Sequence, residues 1–217
     1  MMHSPSKLRL DASPLFLDAG VVINLIASNC AEAIFAALTR PILIVDGVWE
    51  ECRCQAIGGS SAQEFLKALA KMRRIQIIKM SEAQFELFLH LTGSPSPDDL
   101  GDGEAAVLAC AVGTGCAVFD DTKSLRIATR DFRNTPVYST LDVMCGEQVI
   151  RALGKPDVAN AVFEAIRTAR MRVPDHWRDW VSGLLGEERA AELPSLKQSD
   201  FNNLADSLPM ASMKLHR

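Results

Sequence analysis

The stretch Leu15-Phe16-Leu17-Asp18-Ala19-Gly20-Val21-Val22-Ile23-Asn24-Leu25-Ile26 reads as a short strand that gives way to a helix at a carboxylate. Three apolar residues follow Pro14 and stop at Asp18, after which Val21, Val22, Leu25 and Ile26 recur at helical spacing. The same unit repeats along the chain. Pro41 opens Ile42-Leu43-Ile44-Val45, closed by Asp46-Gly47, and Val48-Trp49-Glu50-Glu51-Cys52 starts another helical stretch. Gly58-Gly59-Ser60-Ser61 interrupts that stretch before a helix predicted over residues 62–72. Ile75-Gln76-Ile77-Ile78 is a third strand, and Ser81 with Gln84 has the spacing of a capping box for a helix through Leu91.

Residues 92–101 form a Pro/Ser/Asp-rich loop, and Gly103 opens a run of small apolar residues from Ala105 to Val112. That run is apolar nearly all round, which predicts a helix buried against the sheet, ended by Gly113 and Gly115. Cys116-Ala117-Val118-Phe119 is the next strand, closing on Asp120-Asp121, with a helix over 122–131 and a fifth strand at Pro136-Val137-Tyr138. Helices are expected at 140–153 and 156–169. Strands alternating with helices imply an α/β fold with a parallel, doubly covered sheet and right-handed crossovers. Beyond Arg172, Val173-Pro174-Asp175-His176-Trp177 caps a further short helix that reaches Gly186. Residues 187–217 are polar and broken by prolines, and are expected to be a partly mobile tail.

A chain of 217 residues with 48% hydrophobic content can bury one well-packed domain and carry an appendage. The expected division is an N-terminal arm (1–13), a core domain (14–153), a helical C-terminal extension (154–186) and the tail (187–217). A formal charge of −4 supplies no global pull toward nucleic acid, so a polyanionic partner needs a local basic patch or bridging cations. Six cysteines form no CxxC pair and sit mostly in apolar runs, which fits small hydrophobes in a reducing, cytoplasmic setting rather than a zinc site or a disulfide framework. No segment has the length and composition of a membrane span.

Four acidic positions stand where a strand ends or a helix begins: Asp18, Glu51, Glu104 and the Asp120-Asp121 pair. Carboxyl ends of parallel strands share one crevice, so acids distant in sequence meet there. Carboxylates gathered in a crevice repel one another and take protons or Mg2+/Mn2+ in relief. A bound divalent ion activates water and neutralises charge building on a phosphodiester, so metal-dependent phosphodiester hydrolysis fits these residue types. Each acid also has an ordinary role. Asp18 and Asp121 suit helix caps, and Glu51 and Glu104 suit the first turns of helices. Glu51 is preferred over Glu50 because it lies beside the apolar face made by Val48 and Cys52.

Leu17-Asp18-Ala19-Gly20-Val21-Val22-Ile23-Asn24-Leu25, Val48-Trp49-Glu50-Glu51, Gly103-Glu104-Ala105-Ala106, and Phe119-Asp120-Asp121 through Arg126-Ile127-Ala128 resemble the successive motifs of PIN-domain nucleases, in order and spacing. The resemblance covers about residues 14–153, and Leu184-Leu185-Gly186-Glu187 is similar to the end of an extension in a toxin-like branch. It implies a three-layer α/β/α sandwich with a mainly parallel five-stranded sheet and a Mg2+- or Mn2+-dependent endoribonuclease acting on RNA. VapC-like toxins of this family have a small antitoxin as partner. Asp18, Glu51, Glu104 and Asp120 become the acids of the site, with Asp18, Glu104 and Asp120 as metal ligands. Asp121 assists through a water or substitutes for Asp120 as ligand. Asn24 matches a polar position from which an amide holds a carboxylate; otherwise it faces solvent. Ala19 and Gly20 stand where the family usually carries hydroxyl or amide side chains, which bears on how Asp18 is oriented.

Arg126, Arg130 and Arg133 fall on one stripe of the helix after the acidic pair, either gripping RNA phosphates or forming a solvated face with Asp131 as partner. Lys71, Arg73, Arg74 and Arg167, Arg170, Arg172 read as helix-end charges. Trp177 and Trp180 either pack on the domain or, exposed, contact an antitoxin or a second copy in a homodimer. Two other classes compete. An aspartyl-phosphate phosphohydrolase needs a second acid two residues after Asp18, where this chain has Gly20. An inactive PIN-like binding module is the alternative that the Ala19-Gly20 departure favours.

Overall fold

The computed structural model describes residues 4–53, 56–57, 60–93 and 99–196. The Gly58-Gly59 break, Cys54, residues 94–98 of the 92–101 loop and residues 197–217 of the expected tail lie outside the described residues. Seven strands occur among the described residues: β1 (Leu15–Leu17), β2 (Ile42–Val45), β3 (Ala56–Ile57), β4 (Ser60–Ser61), β5 (Gln76–Ile78), β6 (Cys116–Val118) and β7 (Val137–Tyr138). Five of them form one parallel sheet in the order β5-β2-β1-β6-β7, and β3 pairs antiparallel with β4. The small β3-β4 pair is an addition to the expected elements.

The sheet's centre is β1, and every one of its side chains is buried. Strands buried on both faces need continuous apolar runs, which is what Leu15-Phe16-Leu17, Ile42–Val45 and Cys116–Val118 supply. Register sets Leu15 opposite Ile42 on one side and Cys116 on the other, with Leu17 level with Val118. The chain steps outward from β1 through β2 to β5, then returns to β6 and steps the other way to β7. The order therefore reverses between β1 and β6, and the crevice at their carboxyl ends is where open α/β sheets place ligands.

Helices α1 (Ala19–Ala27), α2 (Ala31–Ala37), α3 (Asp46–Arg53) and α4 (Ala62–Lys71) lie in the crossovers from β1 to β5. Helices α5 (Glu82–Thr92), α6 (Asp102–Ala111) and α7 (Thr122–Asp131) lie in those that return to β6 and β7. Right-handed crossovers put the two groups on opposite faces, giving the three-layer sandwich. As its composition predicts, α6 is buried from Ala105 to Ala111 and packs on β1, β2 and β6. The Ser81–Gln84 capping box starts α5: Gln84 N–H donates to Ser81 Oγ at 3.4 Å and Ser81 N–H to Gln84 Oε1 at 2.9 Å.

Two helices depart from expectation. The unanticipated α2 follows a reversal at Asn29, whose φ of 57° is left-handed, a conformation Asn tolerates better than most residues. The helix expected over 140–153 is two, α8 (Thr140–Met144) and α9 (Glu147–Leu153). The Cys145 carbonyl is taken by Ser4 Oγ at 2.7 Å, and Gly146 packs against Leu8, where a β-carbon would lie 3.1 Å from Cδ2. The N-terminal arm thus breaks the helix.

Helix α10 (Lys155–Ala169) buries Val158, Val162 and Ala165 and packs along α1, and α11 (Asp175–Leu185) packs on α10. Trp177 is fully buried and meets Trp180 edge to face at 5.4 Å, so Trp177 packs on the domain. The tail's first part is ordered: α12 (Glu187–Glu192) is followed by buried Leu193 and Leu196. No single helix is long and apolar enough to cross a membrane.

One buried cation ties the arm to the sheet. Arg40 donates from Nε to Ser13 O at 2.6 Å, from Nη1 to Arg9 O at 3.1 Å, and from Nη2 to Asp11 Oδ1 at 2.9 Å and Cys116 Sγ at 3.2 Å. Asp11 is partly exposed, so the ion pair itself contributes little; the carbonyls that would lose their donor dominate. Arg40→Leu is expected to cost about 2–4 kcal/mol, read as a lower urea midpoint with earlier proteolysis of the arm. An unchanged midpoint contradicts this role.

Candidate metal centre

The acids reach the crevice by three local routes. Asp18 is carried there by β1: its N–H extends the ladder to Val118 O at 3.1 Å, and its carboxylate caps α1 by accepting from Gly20 N–H at 3.1 Å. Glu51 comes from α3, which buries Val48 and Cys52 and leaves Glu51 on the adjoining edge. The first turn of α6 supplies Gly103 and Glu104. All three routes converge on Gly103. A β-carbon there would lie 2.9 Å from Glu51 Oε2 and 3.1 Å from Asp18 Oδ1, so both carboxylates rest against a residue that has no side chain. Glu104 folds back against Gly101.

Electrostatics mark the same cluster. Burial, then the charge of Glu104, pushes the Asp18 carboxyl up to about 7; the N–H groups of Gly20 and Ala19 oppose this, and Glu51 adds to it. Burial raises Glu51 as well, helped by Glu104 and Asp102. Asp102 is an acid that the sequence reading passed over, one residue before Gly103 on the helix start. Glu51, Asp102 and Glu104 line an open cleft of about 580 Å³ whose other wall carries Met80 and Phe88. A larger hollow of about 840 Å³ beyond the other end of α1, lined by Ile26, Cys30, Phe65 and Arg167, holds none of these acids.

Asp120 and Asp121 are held differently. Asp120 Oδ1 accepts from Thr140 N–H at 2.8 Å, and Oδ2 accepts from Asn24 Nδ2 at 2.8 Å and Thr140 Oγ1 at 2.5 Å. Burial raises its pKa, and the Thr140 and Asn24 hydrogen bonds only partly offset that. Asn24 is buried rather than solvent-facing. Asp121 Oδ2 caps α7, accepting from Ser124 N–H and Oγ, each at 2.8 Å. Burial pushes Asp121 up, but those bonds and Lys123 outweigh it and hold the carboxyl below its ordinary value. Thr140, the main partner of Asp120, had a sequence signal in Ser139-Thr140-Leu141-Asp142, a capping pattern at the start of α8.

Arg126 and Arg130 are exposed on α7, and Arg133, expected on the same helical stripe, lies beyond its end because the helix stops at Asp131; Arg130 pairs bidentately with Asp131 at 2.7 Å, and Arg133 Nε donates to Arg130 O at 3.3 Å. Buried Cys52 and Cys110 have thiols pushed up to about 12 and about 11, chiefly by burial, and stay protonated.

Among the described residues, no three His, Cys, Asp or Glu side chains close on a common point at ligand distance. The donor set nevertheless suits a hard cation: Mg2+ keeps most of its waters and is held by one or two carboxylates, and Asp18 with Glu51 at Gly103 is such a pair. Asp18 is an acid with a folded-state pKa above its unfolded value, so the native state binds the extra proton between about pH 4 and 7. Its stabilising contribution is therefore lost as pH rises through that window. Without divalent ions, Asp18→Asn, which keeps the cap, is expected to melt about 2–4 °C above the parent at pH 8, with the difference shrinking as pH falls and closing at about pH 4. Equal melting at pH 8 contradicts the buried, repelled carboxylate.

Residues 15–187 match the family DUF3368, described as a PIN domain. Neither the curated proteins nor the solved structures include a significant match. The matched region runs from β1 through α11, so it takes in the helical extension as well as the sheet. PIN domains are generally nucleases that use divalent metal ions. With its five-stranded parallel sheet, its acids at the carboxyl ends of the central strands and a match over most of its length, the chain belongs to the PIN-domain family.

Proposed function

We propose that this chain is a metal-dependent endoribonuclease that hydrolyses RNA phosphodiester bonds. The observation that carries the reading is the meeting of Asp18 and Glu51 against Gly103, with Glu104 close enough to raise both. Asp18 and Glu51 would hold Mg2+ or Mn2+, with Glu104 and Asp120 completing the acidic surround. When bound, the ion supplies Lewis acidity toward a phosphate oxygen and a more acidic water.

The chain's own residues do the rest. Asp18, whose carboxyl burial and the charge of Glu104 push up when no ion is present, is the carboxylate that would gain most from the cation it holds. Asn24 and Thr140 fix Asp120. Asp121 holds the start of α7, the helix from which Arg126 and Arg130, with Arg133 just beyond its end, would meet the RNA phosphates. A phosphate competes with Asp131 for the Arg130 guanidinium. The missing hydroxyl at Ala19-Gly20 is answered by backbone: Gly20 N–H holds Asp18 Oδ2, which favours an active site over an inactive module. A toxin role with a small antitoxin as partner rests on the likeness to VapC-like proteins.

Purified protein with Mn2+ is expected to cleave single-stranded RNA, and Asp18→Asn, which takes one of the two carboxylates from the ion, to lower kcat on the order of 100-fold while the fold is kept. Cleavage that survives both chelation and Asp18→Asn would show that the reaction belongs to something else.

A further inference from the structure

The three hydrogen bonds on Asp120 occupy most of its four lone-pair sites and leave one, on Oδ1, open. Its direction is therefore set by Thr140, which is fully buried and is the first residue of α8. What holds Thr140 lies far away in sequence. Asp142 Oδ2 accepts from Ser139 N–H at 2.9 Å and Ser139 Oγ at 2.7 Å, the inner part of a capping box. Its Oδ1 accepts from Lys7 N–H at 2.8 Å, and its carbonyl accepts from Ser6 Oγ at 2.7 Å. Ser4 Oγ closes the set on Cys145 O. A capping box needs one carboxylate oxygen; here the second is given to the arm, in a buried position where a carboxylate short of donors is costly.

We propose that the N-terminal arm, acting through Asp142 and the Ser139–Thr140 start of α8, sets the direction of the Asp120 carboxylate, with Thr140 as the positioning residue of the nuclease site. The part concerning catalysis rests on the nuclease reading; the chain of hydrogen bonds stands on geometry. It gives the arm a role at the site although the arm contributes no side chain there. The coupling is local and stepwise, running from Lys7 N–H through Asp142 to Ser139, Thr140 and Asp120.

Three variants test it. Thr140→Val keeps shape and N–H but removes the hydroxyl, and Thr140→Ser restores the hydroxyl. Asp142→Asn leaves one acceptor oxygen where two are needed. Thr140→Val is expected to lower kcat and Mn2+ affinity about 10–100-fold with KM for RNA unchanged, and Thr140→Ser to return both to within a few-fold. Asp142→Asn is expected to give the same loss together with about tenfold faster hydrogen exchange at the Lys7 and Thr140 amides, amides of β1 being unchanged. Parent-like exchange at Thr140 in Asp142→Asn, or no recovery in Thr140→Ser, overturns the proposal. A parent protein that neither binds Mn2+ nor cleaves RNA defeats the nuclease reading, and Thr140 amide exchange in Asp142→Asn then still decides the relay.

Discussion

The burial of carboxylates beside one another is the constraint around which this site is arranged. Asp18 and Glu51 lose hydration and face the charge of Glu104, and left free the three would swing apart. They stay because the backbone that carries them has nowhere to go. β1 is walled by β2 and β6 in a fixed register, α3 is anchored through Val48 and Cys52, and α6 is buried along nearly its whole length. Gly103 then removes the one side chain that would hold the carboxylates off. The packing energy of the sheet offsets an electrostatic cost that a divalent ion or a proton relieves.

Asp120 solves the same problem by a different means. It is given three donors from Asn24 and Thr140, which partly offset its burial. The site thus has a self-repelling part and a hydrogen-bonded part on neighbouring strand ends. Only the first gains strongly from a cation, while the second is rigid beforehand. In the proposed nuclease, that division would give Asp18 and Glu51 the leading place in metal binding and Asp120 an orienting one.

Much of this was legible in the sequence because it depends on neighbours in sequence. Strand runs ending at Asp18 and Asp120, the Ser81–Gln84 capping box and the all-round apolar α6 follow from period and composition. The acids' shared crevice follows from strands that are parallel. What escaped depends on partners far along the chain. The split between α8 and α9 is imposed by Ser4 and Leu8, more than a hundred residues away. The burial of Arg40 has no local sequence signal, because the carbonyls of Ser13 and Arg9 that hold it lie about thirty residues away. The burial of Asn24 was an even choice until Asp120 and Thr140 stood across from it. The α2 reversal turns on one left-handed residue, Asn29, and the short β3-β4 pair had no periodic pattern to announce it.

The central claim is a place: a divalent ion held between Asp18 and Glu51, over Gly103. Anomalous diffraction from crystals soaked in Mn2+ locates such an ion directly. The account predicts one strong peak within bonding distance of a carboxylate oxygen from each of Asp18 and Glu51, with the Asp120 hydrogen bonds to Asn24 and Thr140 kept. A saturating soak that leaves this point without a peak, or puts the ion at Asp121 and the α7 arginines instead, contradicts it.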